Sequence, residues 1–117
     1  MKPLVRMMSA GLAVLALSGG AWAAGSKALD PAKIAAAKTP ADHEAIAKAY
    51  EAEALKIEKM AEMHKNLGQA YGAPGGKPWQ VGQAKHCDSV AASLKTAAQE
   101  ERALAAEHHN MAKEAGH

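Results

Sequence analysis

Apolar residues recur along two long stretches of this chain at alternating steps of four and three. In the first stretch the stripe is Ile46, Tyr50, Glu53, Ile57, Met60, His64, Leu67 and Tyr71. In the second it is Cys87, Val90, Leu94, Ala97, Glu101, Leu104, His108 and Met111. Such steps keep residues on one face of a helix. Nowhere does the chain alternate with the period of two that a half-buried strand requires. The pattern therefore predicts an all-α protein.

Local chemistry sets the ends of these helices. Asp30-Pro31 reads as an N-cap followed by proline at the first helical position, opening a short helix over about 31–38. Thr39-Pro40-Ala41-Asp42 repeats the signal, and nothing interrupts a helix from Pro40 to about Tyr71. The eleven residues from Gly72 to Gly82 include Pro74, Pro78 and four glycines, which predicts a loop over 72–82. Trp79 is expected to fold back over the end of the hairpin. A second long helix is expected over about 83–114, with Gly116 as terminator. Two helices of similar length with a short connection predict an antiparallel hairpin. With the loop centred near residue 77, facing residues have numbers adding to about 155, so that stripe meets stripe.

The bulk available for a core is small. Phenylalanine is absent and much of the apolar content is alanine. Such a hairpin buries little per helix, which predicts self-association, with two copies completing a four-helix bundle.

The N-terminus carries a different pattern. Lys2 and Arg6 precede an apolar run from Met7 to Leu17, Ser18-Gly19-Gly20 breaks it, and Ala21-Trp22-Ala23 offers the small residues a signal peptidase reads. This order predicts a signal peptide over 1–23, cleaved before Ala24. The apolar run is short for a bilayer span, so no stable membrane insertion is expected after cleavage. The expected divisions are then 1–23, a loose segment with its short helix over 24–38, and the hairpin over 39–117. Removing Lys2 and Arg6 takes the 14 basic residues to 12, equal to the 12 acidic ones. A neutral chain with interspersed charges gives no electrostatic case for nucleic acid.

The run Thr39-Pro40-Ala41-Asp42-His43-Glu44-Ala45-Ile46-Ala47, followed by Tyr50 and Glu53-Ala54, is matched later by His86-Cys87, Leu94 and Leu104-Ala105-Ala106-Glu107-His108. Together these resemble a family of small exported helical proteins of Proteobacteria. The resemblance spans about residues 39–112. It implies a periplasmic helical protein and assigns no activity.

Polar side chains on the stripes carry whatever chemistry the chain has, because a charge or imidazole facing a partner helix destabilises unless paired or liganded. The first cluster is His64, His86 and Cys87 with Met60, whose soft donors suit copper ahead of zinc. Haem held without covalent attachment is a further option, since no Cys-x-x-Cys-His run exists. Cys87 is the only cysteine; it either joins a second copy, lies buried and free, or ligates. The second, weaker cluster is His43, His108 and Met111 at the far end, with His109 directed off the stripe. The third is Glu53 with Glu101, two facing carboxylates that need a proton, a bridging cation or lysines such as Lys56 and Lys59. Neither glutamate belongs to the Glu-x-x-His run of di-iron bundles. The chain shows no phosphate-binding loop, metalloprotease motif or redox Cys-x-x-Cys, and no enzymatic activity is expected. Two functions follow as expectations. One is a periplasmic protein that binds a metal ion or metal cofactor. The other is a structural or interaction module, a homo-oligomer without a small ligand.

Overall fold

A computed structural model describes residues 29–117; the signal peptide expected over 1–23 lies outside the described residues. Three helices follow in order: α1 (Pro31–Ala36), α2 (Pro40–Tyr71) and α3 (Pro78–Ala115). Helices α2 and α3 pack against each other along their length as an antiparallel pair. Among the described residues no helix is long and apolar enough to cross a membrane.

The caps act as the sequence implies. Asp30 accepts from the Ala32 amide at 2.8 Å. The Asp42 amide donates to Thr39 Oγ1 at 3.1 Å, while Asp42 Oδ2 accepts from the Thr39 and Lys38 amides at 3.0 and 3.1 Å. These bonds hold the Asp42 carboxyl below its usual range, the Lys38 amide foremost. Helix α1 ends at Ala36, two residues earlier than expected. Helix α3 begins at Pro78, five residues before the expected start. Pro78 occupies the first helical position, where its missing N–H costs nothing, and the Gln80 side chain accepts from the Lys77 amide. Gly82 is absorbed inside the helix at a cost of about 1 kcal/mol relative to alanine. The loop is thus 72–77, with Gly75 in the left-handed region at φ 84°. Trp79 rides on the first turn of α3 and is 59% exposed, so it does not cover the hairpin end.

The seam between the long helices differs from the expected stripes. In α2 it runs His43, Ala47, Tyr50, Ala54, Ile57, Ala61, His64, Gly68, Tyr71; every one of these is buried or half-buried. In α3 it runs Ala84, Cys87, Ala91, Leu94, Ala98, Glu101, Ala105, His108, Ala112, again with none exposed. Half of each expected stripe is therefore in the seam. The other half of the seam consists of small residues at a strict spacing of seven, Ala47-Ala54-Ala61-Gly68 and Ala84-Ala91-Ala98-Ala105-Ala112. Ala54 and Ala98 are 0% and 1% exposed. Small side chains let two helices approach closely, and at Gly68 an added Cβ would lie 2.5 Å from the Asp88 carboxylate. Pro40 approaches Gly116, and Gly72 approaches Ala84, which agrees with the expected register to within a turn.

The remaining members of the stripes sit beside the seam. Met60, Leu67, Val90, Leu104 and Met111 are exposed, as is Ala97. Each immediately precedes one of the small seam residues, so in an antiparallel pair they share one side of the hairpin. The residues just after the larger seam positions share the other side. There Arg102 holds Glu58 through two parallel bonds, Nε to Oε1 and Nη2 to Oε2, both 2.9 Å. The pairing lowers the Glu58 pKa and raises that of Arg102. The hairpin thus has one charged face and one largely apolar face, the latter interrupted by Glu53 and with Ile46 buried at its end.

Candidate functional site

At the open end of the hairpin α2 and α3 bring two histidines together. His43 Nδ1 lies 3.1 Å from His108 Nδ1, with ring centroids 5.4 Å apart and tilted by 31°. Tyr50, two turns along α2, also stacks on His108, at 5.8 Å and 28°. His108 is 8% exposed, the one polar residue among the fully buried set of the described chain. Burial lowers its pKa, and the nearby His43 adds to the effect against an opposing contribution from Glu107. A neutral imidazole can share one proton with its neighbour, as an Nδ1–H of one ring donating to the lone pair of the other.

Beside this pair, on the charged face, His109 bridges two turns of α2. Its Nδ1 lies 3.0 Å from Glu44 and its Nε2 2.8 Å from Glu51. Bonding to Glu44 first, then Glu51, raises the His109 pKa, and the Glu44 carboxyl is lowered in return. His109 does leave the seam as expected, yet it ties the helices together there. Met111, expected beside His43, stands 41% exposed on the apolar face.

The cluster nearest the loop is more dispersed. His64 and Cys87 both lie in the seam and are half-buried, whereas His86 and Met60 are exposed. Cys87 is a free thiol. His64 Nδ1 is buried without a hydrogen-bond partner. Midway along, Glu53 pairs with Lys56 at 3.3 Å. Glu101 keeps its Oε2 buried and unbonded, and its pKa is raised by burial first and by the Glu53 charge second.

A groove on the charged face is lined by Ala61, Ala91 and Ala92 together with Glu58, Glu62, Lys65 and Lys95, side chains of both signs. Among the described residues no group of three or more histidine, cysteine, aspartate or glutamate side chains converges to hold a metal ion. The alanine seam is absent from the stripe pattern, although the seven-residue alanine period is open to reading; of the second expected cluster, His43 and His108 do meet, and Met111 does not join them. No family model, curated protein or solved structure matches the chain.

Proposed function

We propose that this chain is an exported, non-enzymatic interaction module whose apolar face pairs with a second copy to complete a four-helix bundle. One observation carries the reading. Met60, Leu67, Val90, Leu104 and Met111 lie exposed outside the hairpin seam on one side, while the Arg102–Glu58 and His109–Glu44 pairs lie on the other. Within the hairpin, the only fully buried apolar residue larger than alanine is Ile46. A buried methyl contributes about 0.8 kcal/mol against roughly 1.5–3 kcal/mol for a leucine or methionine side chain. The hairpin alone leaves its best hydrophobic material in water. Helices in bundles carry a third apolar position beside the two of the seam, and Met60, Leu67, Val90, Leu104 and Met111 occupy it here. A second copy supplies the same stripe in return, as a two-fold interface requires. The exported setting rests on the signal-peptide pattern of residues 1–23, and its periplasmic form on the family resemblance. Sedimentation of the purified protein with Leu104→Glu tests the reading: the native chain is expected as a dimer and the variant as a monomer.

The metal-binding reading has its own observation. An imidazole nitrogen buried without a partner, as at His64, is an unused donor, and Cys87 follows on the same stretch of seam. Native mass spectrometry of protein purified from its own source tests this, with copper ahead of zinc or haem as the bound species. Metal lost on replacing His64 or Cys87 supports it, and a metal-free protein indifferent to chelator refutes it.

A further inference from the structure

The two ring nitrogens at the open end of the hairpin face each other across 3.1 Å. A bond of that length holds one hydrogen on the line between them, so one ring donates through Nδ1–H and the other accepts with its Nδ1 lone pair. We infer that the His43–His108 contact is an acid-released clasp, which closes the open end while one proton lies between the rings and lets go when each Nδ1 carries its own. The proton count decides this. With both rings neutral, the donor keeps a free Nε2 lone pair and the acceptor an Nε2–H. A first added proton enters on the donor's free Nε2 and leaves the contact in place, as a charge-assisted bond from an imidazolium to a neutral ring. A second proton can reach only the accepting Nδ1. Two N–H groups and two positive charges then confront each other, and the bond is lost. The two steps belong to the pair rather than to either ring.

Burial assigns the roles. His108 is 8% exposed and His43 half-buried, so the charge of the first step stays on His43 and His108 accepts. Asp42 of α2 lies within the field of His43. On α3, burial foremost and then His43 keep the His108 pKa below 6.5, against the opposing charge of Glu107. Tyr50 of α2 stacks on His108. The other charged groups at this end are Glu44 and Glu51 of α2, both bonded to His109 of α3, with Lys48 and Lys113 near Glu44. The His109 bridge works in the opposite sense to the clasp. Its contribution is fully present below pH 6.5 and lost as pH rises through its raised folded pKa. The clasp is whole above pH 6.5 and lost as pH falls through the lowered folded pKa of His108. The open end is therefore held most firmly near pH 6.5 and loosens on either side. None of this requires a second copy, because both rings come from one hairpin.

Spin-label distances across the two ends of the hairpin test it, in the purified full chain carrying Cys87→Ser and diluted with unlabelled chain. Labels at Ala45→Cys and Asn110→Cys report the open end, and labels at Gln69→Cys and Lys85→Cys the loop end; all four positions are exposed. Lowering the pH from 7.5 to 4.5 should widen the open-end distance by about 5 Å, half a helix diameter, and leave the loop-end distance unchanged. A glutamine in place of either ring can donate or accept, so it bonds the remaining imidazole in both protonation states. His43→Gln and His108→Gln should therefore each keep the pH 7.5 distance at pH 4.5, whereas His109→Gln should still widen. Circular dichroism confirms that each variant stays helical, and His43→Gln, at a half-buried position, guards against loss of fold at His108. Nitrogen NMR of the native chain at pH 7.5 should show one Nδ1 protonated and the other bare. An open-end distance that is the same at both pH values overturns the inference. Equal widening in the two glutamine variants or at the loop end, or two rings both protonated on Nε2 at pH 7.5, overturns it too.

Discussion

Glu101 offers a sensitive probe of the seam, because one of its oxygens is sealed from water without a partner and the Glu53 charge lies near. Burial and that charge raise its pKa above the ordinary 4.5. A carboxyl raised on folding favours the protonated form, so its contribution to stability is fully present below the unfolded pKa. That contribution is lost as pH rises through the folded value. At neutral pH the ionised group therefore opposes folding. An unbonded buried polar group costs about 1–3 kcal/mol; Glu101 is only half-buried, which places it near the lower end. Glu101→Gln keeps the shape, removes the charge and provides an amide that can donate to Glu53. The expected gain at pH 7 is about 1 kcal/mol, or a rise in Tm of about 4–8 °C for a domain of this size. Thermal melts by circular dichroism at equal protein concentration measure it at pH 7 and pH 4. The gain should shrink at pH 4, where the native carboxyl is protonated. A variant that melts lower at pH 7, or a gain independent of pH, would refute the reasoning.

Two further changes probe other parts of the packing. Ala98→Leu forces a large side chain into the close approach of α2 and α3 and should cost about 1–3 kcal/mol, seen as a lower urea midpoint; an unchanged midpoint would show that the helices are not in close contact there. The His109 bridge, with its pKa raised above 6.5 by Glu44 and Glu51, contributes stability that is fully present below pH 6.5 and lost as pH rises through the folded value. Urea midpoints at pH 6 and pH 9 should differ more for the native chain than for His109→Gln, and an equal difference in both would exclude the bridge.

What the sequence revealed depended on how local the signal was. Thr39, Pro40 and Asp42 determine a helix start within four residues, and the expected span of α2 matches the observed Pro40–Tyr71. The start of α3 was obscured because Lys77 has no oxygen with which to cap and Gly82 lies inside the first turns. The seam was half legible. Tyr50, Ile57, His64, Cys87, Leu94, Glu101 and His108 all face the partner helix as expected. The stripe pattern pairs them with the large residues Met60, Leu67, Val90, Leu104 and Met111, whereas alanine and glycine fill those places in the seam. Alanine is common throughout the chain and weighs little on a hydrophobicity scale, so its strict period of seven was masked. The helices select the small residues because close approach gains contact along their full length. Of the candidate sites, the loop-end cluster was visible as residue types alone. The His43–His108 contact required the register, which sequence numbers gave only to within a turn.

Sedimentation equilibrium tests most directly whether the apolar face meets its own copy. The experiment uses the native chain and Leu104→Glu, with reductant and chelator present so that neither Cys87 nor a metal can join the subunits. The native chain should sediment as a dimer, and the variant as a monomer with reduced thermal stability. A native chain that remains a monomer at every concentration, melting at the same temperature as the variant, would contradict the account.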